Sequence, residues 1–446
     1  VELDDPERGR VMMPGLCIGL AKTPGEIRTP APRLGEHTET AGCWTPRADT
    51  PAAAPADDAA VAGAQSAGRG PLAGLRVLDL GTILAGPYAG SLLALLGANV
   101  VKVEAPAGDA FRETGFVYNR GMRSLAIDLR APDGQHAFHQ LVSTVDVVLD
   151  NSRLGVAGRL RADYASLSAV NPRIVTLSIA GFGEHGPFSH KPAFDPVLQA
   201  MSGMMTAQGG DSDPSFFTIP INDVVAAVTS VLAICLGLYH RNRTGEGQRT
   251  WTSLAASSLT MQSGELVRFG GRPPAQRGGR DFAGPSPADR FYRTADGWLR
   301  VQAPSLTALG EALGLSRAHQ DDAEAVATSL AAQPLADALR TLTEAGIPAA
   351  AARQPLDLAR DPALADAELL LECRFPDGRP YLVPHRYARF SRTEQDAISE
   401  PPGIGEHSRE VLSEAGLDAA TIDNLAHRGI VIEGTPFVLT ALVNYR

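Results

Sequence analysis

Cysteine is scarce in this chain. Four occur among 446 residues, Cys17, Cys43, Cys235 and Cys373, so widely spaced that no Cys-x-x-Cys pair exists. That spacing indicates neither a metal site nor a disulfide framework, and it fits a reducing, cytoplasmic setting. A basic run is also missing: Lys+Arg 40 against Asp+Glu 50 gives a net charge of -10, with no stripe of cations to follow a nucleic-acid backbone. Nucleic acid is therefore not expected as a partner. The apolar run from Val224 to Tyr239 is too short for a comfortable membrane span. Residues Val11–Ala21 contain Pro14 and Gly15 and follow acids where a signal peptide would carry positive charge. A cytoplasmic chain with no membrane association is the expectation.

What is present suggests two domains, since 446 residues with 44% hydrophobic and 20% charged residues suffice for a large core. Residues 45–70, rich in Ala, Pro and Gly without apolar periodicity, read as a linker. Beyond them Leu75–Leu80 is strand-like, Pro87–Leu96 helical, and Asn99–Glu104, Asp146–Asp150 and Arg173–Ile179 strand-like. Apolar strands alternating with helices predict an α/β fold with a mainly parallel sheet. The boundaries place a large domain at 71–254, a smaller α+β insertion at 255–350, and a C-terminal segment at 351–446 that returns to the large domain.

The two ends of the chain also resemble each other. A shift of 370 positions aligns Pro6 with Pro376, Pro14 with Pro384, Pro32 with Pro402, and Gly35-Glu36-His37 with Gly405-Glu406-His407. Residues 1–44 thus read as the tail of a preceding copy of the same domain, and the chain as the downstream half of a tandem protein.

Asp223 stands directly before the uncharged run 224–239, which reads as a buried helix with a carboxylate at its mouth. An ionised acid there, aimed by backbone N–H groups, suits a carboxylate nucleophile; the plainer alternative is a helix cap. The turn after the first strand holds Gly81, Gly86 and Gly90, which do not make G-x-G-x-x-G. Pro87 at a helix start accounts for the turn without a dinucleotide.

Several ordered segments together carry more weight. They include Gly74-Leu-Arg-Val-Leu-Asp-Leu80, Leu96-Gly-Ala-Asn-Val-Val-Lys-Val-Glu104, Gly108-Asp109 with Arg112, Asp146-Val-Val-Leu-Asp-Asn151, Gln199-Ala-Met-Ser-Gly203 and Arg241-Asn-Arg-Thr-Gly-Glu-Gly-Gln248. Over roughly 71–432 the chain resembles the family III CoA-transferases, which include formyl-CoA transferase, carnitine CoA-transferase and α-methylacyl-CoA racemase. The resemblance implies a Rossmann-like large domain, an interlocked homodimer, coenzyme A and acyl-CoA as substrates with no permanently bound cofactor, and carboxylic acids as acceptors.

By the same resemblance Asp223 is the catalytic residue, forming an acyl-aspartyl anhydride and then an aspartyl-CoA thioester. The implied CoA contacts are Ile83 and Leu84, Ile127 and Arg130, and Asn151, Ser152 and Arg159. The segment Asn151-Ser-Arg-Leu-Gly155 lacks the family's usual aromatic. Oxyanion donors are sought around Gly209-Gly210 or Gly278-Gly279, whose other reading is plain loop flexibility. The racemase branch places a histidine before an aspartate where this chain has Phe194-Asp195, and Phe194 cannot transfer a proton. His185 and His190 read as exposed loop residues, and Asp195 as a turn carboxylate holding backbone amides. An acyl-CoA racemase and an inactive half of a tandem protein remain the alternatives to a transferase.

Overall fold

The computed structural model describes residues 1–40, 69–112, 116–275, 277–358, 361–374, 378–385, 387–393 and 400–434. Most of the expected linker, and Cys43, lie outside them. The chain begins with strands β1 (Glu2–Asp5), β2 (Gly9–Met12) and β3 (Ile18–Leu20). Then follow β4 (Arg76–Asp79), α1 (Ala85–Leu95), β5 (Asn99–Glu104), β6 (Arg123–Ile127), α2 (Pro132–Val142), β7 (Val147–Asp150), α3 (Val156–Arg159), α4 (Tyr164–Val170) and β8 (Val175–Ala180). Next come α5 (Asp195–Met201), α6 (Met204–Gly209), α7 (Ile221–Thr244), β9 (Arg249–Ser253) and α8 (Leu254–Met261).

Strands β4 to β8 are short, rich in Val, Leu and Ile, and largely buried, the composition of parallel strands covered by helices on both faces. They and β9 pair in parallel in the order β6-β5-β4-β7-β8-β9, with β15 (Val431–Ile432) antiparallel at one edge and β3 antiparallel at the other. The chain leaves β4 in one direction for β5 and β6, then returns to the far side of β4 as β7. A doubly wound order of this kind opens a crevice at the carboxyl ends of β4 and β7.

Two cores flank the sheet. On one face Leu78, Leu125 and Phe138 meet Val411, Leu412 and Ile422 from helices 408–414 and 419–427. The C-terminal segment thereby packs on the parallel sheet. On the other face Leu93, Leu149 and Leu177 meet Ala226, Ile234 and Leu238 of α7. At 24 residues α7 exceeds the uncharged run read from the sequence and is apolar enough to cross a bilayer. It lies instead against α1, α8, β8 and β9.

A separate core forms around β10 (Asp289–Arg293), β11 (Trp298–Gln302) and β12 (Ala349–Ala351), an antiparallel sheet flanked by helices 306–312, 323–331 and 335–344. Leu299, Val301, Val326, Leu330 and Leu342 fill it. Finally β13 (Leu370–Arg374) and β14 (Pro380–Pro384) make a hairpin whose Tyr381 and Val383 pack on Val117.

Candidate active site

The crevice is shaped first by the turn between β4 and α1. Asp79 accepts the Gly81 N–H at 2.7 Å, and Asp109 accepts the Ile83 N–H at 2.7 Å. Asn151, just past β7, grips the intervening peptide from both sides: its Oδ1 accepts the Thr82 N–H and its Nδ2 donates to the Thr82 carbonyl, each at 2.8 Å. Beneath the turn Lys102 is fully buried, donates to the Gly81 carbonyl, and lies 3.8 Å from both Asp79 and Asp109. These anchors hold Ile83 at φ 67°, a left-handed conformation that a β-branched residue resists at a cost on the order of 1–3 kcal/mol. The glycines have a packing role. A Cβ on Gly81 would stand 2.6 Å from the Gly86 Cα, so the turn closes on the helix start only with both as glycine.

Asp223 is the third residue of α7, and Pro220 before the helix supplies no side-chain cap. The cap comes from Asp195 on α5, whose Oδ2 accepts the Asn222 N–H at 2.6 Å and the Asp223 N–H at 3.3 Å. Gln199 holds Asp195 at 2.5 Å while exchanging two hydrogen bonds with the Phe217 backbone. Ser258 donates to the buried Asn222 side chain at 2.6 Å. Asp195 is thus the carboxylate that holds backbone amides, and Asp223 is relieved of capping.

The consequence for charge departs from the sequence expectation. The sequence reads Asp223 as an ionised acid aimed by backbone N–H groups, but the Asn222 and Asp223 amides donate to Asp195. Burial, and then repulsion from Asp195, push the Asp223 carboxyl up to about 7 from an ordinary 3.8.

Asp223 lines a cleft of about 490 Å³ together with Ile83, Leu84, Asn151, Ser152 and Arg159. Five of the seven expected CoA contacts therefore meet the expected nucleophile in one space. The other two do not line it. Ile127 is a core residue, 1% exposed, because β6 is paired on both sides by β5 and β15. Arg130 is exposed and folded back on Asp128, with its Nε and backbone N–H both 2.9 Å from Oδ1.

The glycine loops proposed as oxyanion donors pack on each other instead. The Gly278 N–H goes to the Ala207 carbonyl and the Gly210 N–H to the Thr206 carbonyl, and neither loop lines the cleft.

Among the further residues that line it are Arg153, His190 and Lys191, none singled out as a contact. His190 is exposed, as expected of a loop residue, yet faces this space. Among the described residues Arg153, Arg159 and Lys191 form no ion pair, although the chain as a whole carries a net charge of -10. A concentration of unpaired cations on an acidic protein suits a polyanionic ligand. Arg153 was legible inside Asn151-Ser-Arg-Leu-Gly155; Lys191 had no motif to mark it.

A crevice at the switch point of a doubly wound sheet, lined both by cations without ion-pair partners among the described residues and by a desolvated carboxylate, defines an α/β enzyme site suited to an anionic substrate. Residues 72–408 match the model of CoA-transferase family III. The chain is 31% identical over 390 residues to succinyl-CoA:mesaconate CoA-transferase of Haloarcula marismortui, a match covering 79% of this chain and 98% of that protein. It is 30% identical to succinyl-CoA–D-citramalate CoA-transferase of Chloroflexus aurantiacus, covering 80% of this chain and 96% of that one. A crystal structure of a CaiB/BaiF family protein from Brucella suis superposes with a TM-score of 0.68 at 28% identity, covering 78% of this chain and all of the other. The chain belongs to CoA-transferase family III and is an enzyme of that family.

Proposed function

We propose that the chain moves coenzyme A from a short dicarboxylic acyl-CoA, of the succinyl-CoA class, to a free carboxylic acid, with Asp223 as covalent carrier. The observation that carries this reading is that Asp223, freed from capping, shares one cleft with the cationic wall and the β4–α1 turn. The relatives named for succinyl-CoA support the donor class.

In the first step an Asp223 carboxylate oxygen attacks the thioester carbonyl, the C–S bond breaks, and CoA leaves as thiolate. The thiolate then attacks the Asp223 carbonyl of the mixed anhydride, releasing the donor acid and leaving an aspartyl-CoA thioester. The acceptor carboxylate attacks that thioester, and returning thiolate attacks the acceptor's carbonyl, restoring the free carboxylate. Each exchange is between groups of similar reactivity, so one hard acyl transfer becomes several easier ones. Arg153, Arg159 and Lys191 hold the phosphates of CoA or the distal carboxylate of the acyl group. The working form is a cytoplasmic, Rossmann-like unit of residues 71–446, with its smaller domain inserted, paired as an interlocked dimer. Phe194, with no proton to transfer, lines the cleft beside Asp223 and weighs against an α-proton racemase.

The test is mass spectrometry after incubation with a panel of acyl-CoAs including succinyl-CoA, with hydroxylamine to trap the acylated carboxyl. A hydroxamate on the peptide bearing Asp223 is the expected result. An unlabelled Asp223 across the panel, in protein that binds CoA by calorimetry, removes the covalent mechanism.

Asn151 gives a second prediction. Asn151→Ala frees the Thr82 peptide and loosens the turn without touching Asp223. KM for acyl-CoA should rise about tenfold with kcat changed less than about threefold in steady-state kinetics.

A further inference from the structure

His190 and Lys191 reach the cleft on a loop, residues 181–193, that leaves β8 at Gly181 and returns at Ala193 just before α5. Its two ends touch: a Cβ on Gly181 would stand 2.3 Å from the Ala193 Cβ. Between them the loop packs on itself. The Phe182 and Phe188 rings lie 5.7 Å apart, the Lys191 ammonium stands 4.5 Å over the Phe188 ring, and the Lys191 N–H reaches the Phe188 carbonyl at 2.9 Å. A compact loop with closed ends, filled by its own side chains, is an Ω-loop, and such a loop is placed as a unit by whatever ties it to the scaffold.

Its start is fixed, since the Ala255 N–H reaches the Gly181 carbonyl at 3.0 Å and Phe182 packs on the core beside α7. Beyond Phe182, among the described residues, the hydrogen bond that ties the loop to another element is made by Glu184. Its Oε1 accepts from Arg249 Nη1 on β9 at 2.8 Å, and the Glu184 side chain is only 10% exposed. Arg249 is itself held in place. Its guanidinium lies 4.6 Å over the Trp251 ring, and its carbonyl accepts the Ala21 N–H at 2.9 Å. Gly19 of β3 pairs with Trp251 and lies so close over the ring that a Cβ there would meet it at 2.1 Å.

The guanidinium also answers a problem of charge. Burial first, and Glu184 after it, push the Asp150 carboxyl up at the end of β7. Asp150 in turn holds Ser152 of the cleft, accepting its N–H at 3.0 Å and its hydroxyl at 2.5 Å. Without Arg249, Glu184 would be a largely buried carboxylate repelled by Asp150, and moving it into water would carry the loop away from the cleft. An ion pair exposed on both sides would have little effect of this kind; burial of Glu184 makes the difference.

We propose that Arg249 is a positioning residue for the transfer site. By pairing with Glu184 it sets the 181–193 loop, and with it His190 and Lys191, in the cleft that also holds Ser152, Arg153 and Asp223. β3, by covering Trp251, backs the same contact. The assignment rests on the reading of Lys191 as a contact for the phosphates of CoA or the distal carboxylate of the acyl group.

The test uses the full chain and two readouts that need no turnover. Limited chymotrypsin cleavage after Phe188, identified by mass spectrometry, reads the order of the loop, and calorimetry with coenzyme A reads the cleft. Arg249→Met keeps an apolar stem on Trp251 and removes the charge; it should speed that cleavage and raise the Kd, each about fivefold. Glu184→Ala should do the same, and the double variant should be no worse than either single change within about twofold. Arg249→Lys should recover most of the loss, and in steady-state kinetics the change should fall on KM with kcat altered less than about twofold. Circular dichroism confirms that each variant is folded. Unchanged cleavage or unchanged Kd in folded Arg249→Met or Glu184→Ala, or additive effects in the double variant, overturns the proposal. An unlabelled Asp223 removes the covalent mechanism instead and leaves both readouts as they are.

Discussion

Asp223→Asn is expected to lower kcat/KM for CoA transfer by at least about 10³-fold, because the amide cannot form the anhydride and no neighbouring carboxylate takes its place. Asp195 is the nearest acid, but it is fixed on the Asn222 and Asp223 amides and 3% exposed. In the unaltered enzyme the nucleophile acts only when ionised. With its carboxyl pushed up to about 7, kcat/KM should climb with pH along a limb centred near 7 and level off above it. A profile already flat at pH 5 would mean that burial and, after it, Asp195 do not hold the Asp223 carboxyl up.

The same substitution should stabilise the fold. A carboxyl whose folded pKa is raised keeps its proton in the native state while the unfolded chain has lost it. No penalty exists below about 3.8; it grows as pH rises toward 7 and is complete above that. Asparagine carries no charge and escapes it. Because the carboxyl lines an open cleft, the gain is discounted to about 2 kcal/mol at pH 8, falling to about half that at pH 5.5, read from urea melts at the two pH values. Lost activity with gained stability distinguishes a strained functional carboxylate from a cap, whose removal would destabilise.

The parallel strands were legible because strands buried on both faces are nearly continuous apolar runs, as Val147 to Leu149 is. β9 was not: Arg-Thr-Trp-Thr-Ser has no such run, and its place between β8 and β3 depends on pairing with two strands distant in sequence. The position of Asp223 could be read from the helix that follows it, but its charge could not. That depends first on burial and then on Asp195, 28 residues earlier, both of which arise only through folding. Ile127 was misplaced for a related reason. An apolar residue at a strand end looks the same in sequence whether it faces a ligand or a core, and pairing with Val431 decides for the core.

Lys102→Met should be the most damaging single change outside the cleft, lowering unfolding free energy by about 3–5 kcal/mol in denaturant melts. Lys102 stood in the sequence only as one letter of a motif, and nothing local to it signals burial. In the fold its ammonium is the cation between Asp79 and Asp109, all three nearly or fully shielded from water. One Asp79 oxygen has no hydrogen-bond partner among the described residues, and burial already pushes that carboxyl up against the pull of Lys102. Removing the cation leaves two buried acids with backbone donors but without the Lys102 charge, so the loss should deepen as pH rises from 5 to 8. The Gly81 carbonyl loses its donor at the same time, and Ile83 loses part of what keeps it left-handed, so KM for acyl-CoA should rise more than kcat falls. Adding Asp79→Asn to Lys102→Met should recover part of the stability, because it deletes the stranded acid that the first change exposed. A double-mutant cycle should return a coupling of about 2 kcal/mol. Strict additivity would separate Lys102 from Asp79 energetically, and the β4–α1 turn would then need another source for the order that holds it over the cleft.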